Sequence, residues 1–145
     1  MSAETRVLLI AAPFYEDITE QLVSGAQGAC DATGVTADVV EVPGALEIPA
    51  VIALSELGKA PYDAYVALGC VIRGETSHFD YVCGESARGL MDLTLKGVPV
   101  GNGILTVENI KQARVRANVH EKNKGGDAAN AALALLSLKK KFGAA

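Results

Sequence analysis

The sequence has 145 residues, of which 50% are hydrophobic and 21% are charged. This length and composition are typical of one globular domain, and they exclude a disordered or collagen-like chain. No uncharged apolar run reaches the roughly 18 residues that a membrane span requires. The three cysteines are widely spaced and odd in number, so the sequence offers neither a disulfide framework nor a C-x-x-C metal site, and it favours a cytoplasmic location.

Charge is distributed unevenly along the chain. Residues 1–72 carry two basic and ten acidic side chains, whereas residues 73–145 carry eleven basic and seven acidic ones. The cations of the second half are concentrated in residues 111–124. Nucleic acid is not favoured as a ligand, because its phosphates require many cationic contacts along a surface. A single phosphorylated small molecule fits this local cationic segment better.

Apolar runs and helical periodicities alternate along the chain. A first strand is predicted at residues 6–12, and apolar residues then recur at helical spacing from Ile18 to Cys30 until Gly34 ends the helix. Further strands are predicted at 36–42, 64–72 and 98–105. Further helices are predicted at 48–57, 79–96, 110–117 and 126–142.

This order of elements predicts the fold. Near-continuous apolar strands that alternate with helices are typical of a parallel sheet covered on both faces. We therefore predict an α/β protein, a single-domain three-layer α/β/α sandwich of flavodoxin-like type with a four-stranded parallel sheet. Ligands of such sheets bind beyond the carboxyl ends of the strands. This rule selects the segments PFYED, PGALE, RGETSHFD and LTVEN.

The segment RGETSHFD carries a candidate acid/base residue. Ser77 followed by Asp80 predicts a helix N-cap, which places His78 in the first helical turn. A neutral imidazole at a strand-to-helix corner can accept and return protons near neutral pH. The alternative is a surface His that only caps the helix, and its position alone does not decide between the two.

The basic segment offers a candidate anion site. Arg116 could hold a phosphate through two parallel hydrogen bonds, and Lys124-Gly125-Gly126 before Asp127 predicts a glycine turn at a helix N-terminus. A solvated charged connector is the alternative reading. The strand-G-x-x-x-x-G-K-[ST] pattern of a P-loop is absent.

Three other residues have two readings each. Phe14 either stacks on a flat ring or fills the core, and Glu47 either accepts hydrogen bonds from ligand hydroxyls or stabilises the first turn of a helix. Cys70 lies in a strand, which favours a buried thiol over a nucleophile. His120 has no partner at metal-ligand spacing, so no metal site is predicted.

Five segments together closely resemble the 6,7-dimethyl-8-ribityllumazine synthase family of riboflavin biosynthesis. They are APFYEDI at 12–18, VPGALEIP at 42–49, CVIRGETSHFDYV at 70–82, GILTVEN at 103–109 and NKG at 123–125. The resemblance covers nearly the whole chain, and it implies one lumazine synthase domain over residues 1–145.

The resemblance implies a transferase reaction. In this reaction 5-amino-6-(D-ribitylamino)uracil condenses with 3,4-dihydroxy-2-butanone 4-phosphate to give the lumazine, phosphate and water. The steps are mostly proton transfers and orientation, so neither a metal nor an organic cofactor is implied.

The resemblance also implies roles for individual residues. His78 would be catalytic by moving protons, and Phe14 would stack on the pyrimidine. The other uracil and ribityl contacts would come from Ala45, Leu46, Glu47, Cys70, Val71, Ile72 and Asn102. The butanone phosphate would be held by Glu75, Thr76 and Arg116, with Lys124 and Asp127 supporting them.

Family sites lie between subunits, so the resemblance implies a homopentamer in which the regions 102–105 and 116–127 come from the neighbour. NVHEKNKG stands where shell-forming members have a motif similar to GTKHGNKG. We therefore expect a free pentamer rather than a decamer or an icosahedral shell. Contact with riboflavin synthase is implied as well, whereas nucleic acid and membranes are not.

Three residues depart from the family pattern. Asn102 stands where Phe is common, Leu46 where many members have an aromatic residue, and Glu75 where many have Ala. Losing an aromatic stack costs about 0.5–1.5 kcal/mol, which would weaken substrate binding without removing the chemistry. The alternative function is a non-catalytic flavin-binding paralogue of the same fold, and the presence of both His78 and Arg116 argues against it.

Overall fold

A computed structural model of the chain describes residues 4–144, which form a four-stranded sheet with helices on both sides. The strands are β1 (Arg6–Ala11), β2 (Thr36–Glu41), β3 (Ala64–Ile72) and β4 (Val100–Val107). The helices are α1 (Glu16–Thr33), α2 (Ile48–Leu57), α3 (His78–Leu95), α4 (Ile110–Ala117) and α5 (Lys124–Lys141). Every predicted element is confirmed, with ends that differ from the prediction by at most two residues.

The sheet is parallel throughout, with the strand order β2-β1-β3-β4. β2 lies next to β1 on one side, and the chain then crosses over so that β3 lies next to β1 on the other side. The strand order therefore reverses between β1 and β3, and a crevice opens beyond their carboxyl ends. At the far edge β3 pairs with β4 in a register that sets Ile72 opposite Val107.

The core lies in two layers because successive side chains of a strand point to opposite faces of the sheet. Val7 and Leu9 of β1 pack with α1, α4 and α5, whereas Leu8 and Ile10 pack with α2 and α3. This arrangement confirms the three-layer α/β/α sandwich. None of the helices in residues 4–144 is long and apolar enough to cross a membrane.

Two glycines allow α5 to pack closely. A Cβ atom at Gly101 of β4 would lie 1.8 Å from the backbone oxygen of Ala128, and one at Gly125 would lie 2.1 Å from the backbone oxygen of Leu22. The predicted glycine turn before Asp127 is therefore wrong, because Gly125 and Gly126 are buried in the first turn of α5. The turn itself is made by Asn123, whose φ of 44° is left-handed.

Candidate functional site

One cleft lies beyond the carboxyl ends of β1, β2 and β3 and has a volume of about 370 Å³. We call it the His78 cleft. Its lining consists of Ala12, Phe14, Tyr15, Pro43, Gly44, Ala45, Leu46, Glu47, Cys70, Val71, Ile72, His78 and Val82. The structure thus brings together seven of the eight predicted uracil and ribityl residues and the predicted catalytic His78, as the strand-end rule implies.

Phe14 provides a flat apolar surface at the mouth of this cleft. The side chain follows β1 and is 72% exposed, so it does not fill the core. The ring lies edge-on to Tyr15, with 5.0 Å between the ring centroids. This contact leaves a face of the Phe14 ring open to a planar ligand.

The turn after β2 presents Leu46 and Glu47 to the same cleft. A single 3-10 turn, Ala45–Glu47, leads directly into α2, and the Glu47 N–H donates to the Gly44 carbonyl at 3.2 Å. The Glu47 carboxylate accepts no capping hydrogen bond in residues 4–144, although the residue precedes α2. The carboxylate is exposed and can accept hydrogen bonds from ligand hydroxyls.

The end of β3 forms the floor of the cleft. Cys70 is 6% exposed, and burial raises the pKa of its thiol to about 11. The thiol therefore stays protonated at neutral pH, which confirms the buried thiol and excludes a thiolate nucleophile. The side chains of Val71 and Ile72 are only partly buried beside it.

His78 is the first residue of α3 and is exposed on the wall of the cleft. Its backbone N–H donates to the Thr76 hydroxyl at 3.3 Å. Ser77 occupies the predicted N-cap position, which confirms that His78 lies in the first turn of α3, but Ser77 has helical backbone angles and its side chain makes no capping bond in the described chain. Glu75 and Thr76 lie in the exposed loop just before His78, outside the cleft lining.

The second cleft, of about 430 Å³, lies between the free edge of β4 and helices α4 and α5. We call it the Arg116 cleft. Its lining consists of Asn102, Gly103, Ile104, Leu105, Thr106, Val107, Arg116, Lys124, Asp127, Ala128 and Ala131. Within the described residues the two clefts have no lining residue in common.

The Arg116 cleft carries two cations. Arg116 is half-buried, and its Nη1 donates to the Gln112 carbonyl at 3.1 Å, which leaves other guanidinium N–H groups for a ligand. The Lys124 Nζ lies 3.6 Å from Asp127 one helical turn along α5. Together these cations can neutralise a phosphate, as the charge of residues 111–124 suggested.

Asn102 extends from β4 into this second cleft and not into the first. Its side chain is exposed, and its Oδ1 accepts a hydrogen bond from the Ile104 N–H at 3.0 Å. The carboxamide NH₂ group remains available to a ligand acceptor. Of the predicted uracil and ribityl residues, Asn102 is the one that the structure does not bring to the His78 cleft.

Several lining residues were missed by sequence reasoning. Tyr15 and Val82 line the His78 cleft and Thr106 lines the Arg116 cleft. Tyr15 is adjacent to Phe14 in the segment that the strand-end rule selected, so that signal was present. Thr106 lies in the segment LTVEN, which the same rule selected, and the free edge of β4 is what places it in the Arg116 cleft.

The two clefts differ in what they can do chemically. The His78 cleft combines a flat aromatic surface, an exposed carboxylate and an imidazole, which suits binding of a planar polar ring and transfer of protons. The Arg116 cleft offers cations to an anionic group. A reaction between a heterocycle and a phosphorylated compound needs both sets of residues.

Comparison with known proteins agrees with these properties. Residues 4–140 match the sequence model of the family described as 6,7-dimethyl-8-ribityllumazine synthase. A protein of that name from Methylorubrum populi is 58% identical over 143 residues, which cover 95% of this chain and 85% of that protein.

Two further relatives with the same name are nearly as similar. The Bartonella tribocorum protein is 55% identical over 144 residues, covering 99% of this chain and 95% of its own. The Novosphingobium aromaticivorans protein is 55% identical over 137 residues, covering 94% and 98%. With its parallel sheet, its strand-end cleft and this similarity along almost its whole length, the chain belongs to the 6,7-dimethyl-8-ribityllumazine synthase family.

Proposed function

We propose that the His78 cleft of one chain and the Arg116 cleft of a neighbouring copy together form one active site for lumazine synthesis. The observation that carries this proposal is the separation of His78 and Arg116 into two clefts of the same chain. The chain is a lumazine synthase, so the heterocycle and the phosphorylated substrate must meet. A site between copies brings both sets of residues to the same reacting atoms.

The aminouracil binds in the His78 cleft. Phe14 stacks on the pyrimidine, Ala45 and Leu46 line it, and the Glu47 carboxylate accepts hydrogen bonds from ribityl hydroxyls. The carboxyl end of β3 offers backbone groups at Cys70, Val71 and Ile72. Asn102 of the neighbouring copy covers the ring from the opposite side with its free carboxamide NH₂ group.

The butanone phosphate binds between the two clefts. The loop at Glu75 and Thr76 supplies backbone and hydroxyl donors, and the neighbouring Arg116 supplies a guanidinium that can make two hydrogen bonds to one phosphate. Lys124 adds a second cation. The Asp127 carboxylate pairs with the Lys124 ammonium group and keeps it near the first turn of α5. Charge-assisted bonds of this kind contribute about 1.5–3 kcal/mol each.

His78 moves protons in each step of the reaction. The 5-amino group of the uracil first attacks the ketone, and water is released. Phosphate then leaves with the electrons of its C–O bond. After tautomerisation the ribitylamino nitrogen closes the second ring and a further water leaves. An imidazole beside the reacting atoms can accept and return each of these protons, while binding supplies the orientation.

The unit that we propose is a homopentamer in the cytoplasm, built from one lumazine synthase domain per chain over residues 1–145. Apolar side chains exposed on α2 and α3 support burial against another copy. Leu57 is 81% exposed, Leu95 79% and Leu54 68%. The contact with riboflavin synthase that the resemblance implies stays a prediction.

The first experiment measures turnover. Purified protein is mixed with the ribitylaminouracil and the butanone phosphate, and lumazine absorbance and released phosphate are compared with the uncatalysed background. We expect lumazine and phosphate in equal amounts at a rate above background. Product at the background rate, together with tight flavin binding, would instead support the non-catalytic paralogue.

A hybrid experiment tests whether the site is shared between copies. His78→Ala and Arg116→Ala chains are unfolded, mixed in equal amounts and refolded together. In a ring with randomly ordered chains, about one quarter of the interfaces then pair an intact His78 with an intact Arg116. In assays at a butanone phosphate concentration well below KM, where interfaces that lack Arg116 contribute little, we expect about one quarter of the wild-type activity to return.

The matched control mixes His78→Ala chains with chains that carry both substitutions, because no interface then contains His78. This mixture should stay inactive. If the first mixture also stays inactive while native mass spectrometry shows hybrid pentamers, the site is not shared and the proposal is wrong.

A further inference from the structure

Arg73 connects the loop before His78 to the end of the neighbouring strand. It is the first residue after β3, and its backbone N–H donates to the Val107 carbonyl at 3.0 Å. Its Nε donates to the Glu108 carboxylate at 2.7 Å. The register that sets Ile72 opposite Val107 brings these two residues side by side.

The same guanidinium also contacts the first turn of α3. Its Nη1 lies 3.5 Å from the Asp80 carboxylate, and its Cζ lies 4.3 Å from the centroid of the Phe79 ring. A planar guanidinium can make two ion pairs and a ring contact together, which a lysine ammonium cannot. Arg73 therefore contacts residues on both sides of the loop 74–78.

Backbone bonds hold the end of this loop, because the Ser77 carbonyl accepts from the Asp80 and Tyr81 N–H groups at 3.0 and 3.3 Å. Residues 74–78 are all exposed, and the side-chain bond that the structure gives within them joins the Thr76 hydroxyl to the His78 N–H. Exposed ion pairs contribute at most about 1 kcal/mol each to folding stability. The geometry thus suggests that Arg73 orients the loop more than it stabilises the fold.

The contacts continue from Glu108 to the Arg116 cleft. The Glu108 N–H donates to the Gln112 side-chain oxygen at 2.8 Å, and the Gln112 carbonyl accepts from Arg116 Nη1 at 3.1 Å. A continuous set of hydrogen bonds therefore joins the His78 loop and the Arg116 guanidinium of one chain.

We propose that Arg73 is a positioning residue that, through Phe79, Asp80 and Glu108, holds the loop 74–78 and His78 in the geometry needed for phosphate binding and proton transfer. This inference rests on the roles proposed above for His78, Thr76 and Arg116. Orientation is a large part of catalysis in such a reaction, and a misplacement of about 1 Å can cost up to about 100-fold in rate.

The test compares Arg73→Met with Arg88→Met. Arg88 on α3 is a close match because it also makes two ion pairs: its Nε lies 2.7 Å from Glu85 and its Nη1 lies 3.2 Å from Asp92, both away from the loop. For Arg73→Met we expect kcat to fall roughly 10- to 100-fold and KM for the butanone phosphate to rise, with KM for the uracil unchanged. Arg88→Met should leave kcat and the KM values of both substrates unchanged.

Arg73→Lys and Glu108→Gln sharpen the test. Lysine retains the charge and one carboxylate contact, and glutamine retains an acceptor oxygen, so each should keep part of the activity that Arg73→Met loses. A purely structural role would instead lower the melting temperature and change the KM values of both substrates together.

Hydrogen exchange gives a readout that does not depend on activity. Amides of residues 74–78 should exchange faster in Arg73→Met than in the wild type, whereas those of β3 should not. Unchanged exchange and unchanged kinetics would overturn the inference, and so would equal effects of Arg73→Met and Arg88→Met. Faster loop exchange in a protein that forms no lumazine above background would instead count against the proposed roles of His78 and Thr76.

Discussion

The two clefts of this chain differ in how the fold builds them. The His78 cleft lies at the strand-order reversal, where loops after three strands converge and supply an aromatic ring, a carboxylate and an imidazole. The Arg116 cleft lies at a free sheet edge, where two helices supply cations. The first is a site that the parallel sheet favours by topology, whereas the second depends on how closely α5 packs on β4.

This difference shows how one small domain can carry out a two-substrate reaction. The sheet formed by residues 4–144 has one strand-order reversal, between β1 and β3, and hence one such crevice for a heterocycle. The phosphate-binding residues lie on another surface of the same chain, so that a ring of identical copies can close each crevice with the next copy's cations. Substitutions in one cleft should therefore affect one substrate or one step more than the other.

The largest expected effect comes from Gly101→Ala, which perturbs the packing behind the Arg116 cleft. The added Cβ would lie 1.8 Å from the backbone oxygen of Ala128, and backbone cannot move aside as a flexible side chain can. We expect a loss of about 3 kcal/mol in the free energy of unfolding and a melting temperature lower by about 6–12 °C, measured by calorimetry.

Gly28→Ala is the matched control for Gly101→Ala. The site lies within α1, and a Cβ there would have no heavy atom within 4 Å apart from its chain neighbours and the nearby backbone of its own helix. Replacing glycine in a helix interior should raise stability by about 0.5–1 kcal/mol. Equal melting temperatures of the two variants would contradict the view that α5 packs against β4 through the absence of a Cβ at Gly101.

His78→Ala should chiefly slow the chemical steps. General acid/base groups contribute roughly 10²- to 10⁴-fold, and we expect a loss of about 100-fold in kcat with KM for the butanone phosphate largely kept. The control is His120→Ala, because His120 is exposed and lines neither cleft. Steady-state kinetics that show a KM change as large as the kcat change would contradict the assignment.

Arg116→Ala should chiefly weaken phosphate binding. Loss of charge-assisted hydrogen bonds costs about 2 kcal/mol, so KM for the butanone phosphate should rise roughly 30-fold with a smaller change in kcat. Arg114→Ala is the control on the same helix, because Arg114 is exposed and outside both clefts. If Arg116→Ala changed kcat as much as KM for the butanone phosphate, this would count against separate roles for the two clefts.

Much of the fold was predictable from the sequence because local patterns encode it. The continuous apolar runs of β1 and β3 and the periodicity of α1 each indicate one element without reference to the rest of the chain. The largest errors, two residues at β4 and at the start of α5, arise where glycines serve packing. Glycine at position 101 weakens the strand pattern in the sequence. The close approach of α5 nevertheless requires a glycine there, and the neighbouring residues in the sequence do not reveal this requirement.

The candidate site was predictable in part. The rule for parallel sheets gathered Phe14, Glu47 and His78 into one cleft from strand ends alone. Ser77 was correctly predicted at the N-cap of α3, but the hydroxyl that accepts from the His78 N–H is that of Thr76, because Ser77 has helical backbone angles that the sequence does not reveal. The Arg73–Glu108 pair joins residues 35 positions apart, and only the β3–β4 register brings them together.

The smallest expected effect comes from Asn102→Phe, and it addresses both clefts together. Asn102 lies in the Arg116 cleft, whereas the uracil is proposed to bind in the His78 cleft. A phenyl ring at position 102 adds an aromatic stack to the uracil only if another copy brings the two clefts together. A stack is worth about 0.5–1.5 kcal/mol, so KM for the uracil should fall by up to about tenfold.

Asn102→Leu separates stacking from other consequences of the change. Both variants remove the hydrogen bond from the Ile104 N–H to Asn102 Oδ1, and both add apolar area, but only Phe adds a ring face. A lower KM for the uracil in the Phe variant alone would mean that the ring is held between Phe14 of one chain and residue 102 of the next. If both variants bind the uracil equally, residue 102 does not face it, and the two clefts close in a different register from the one proposed.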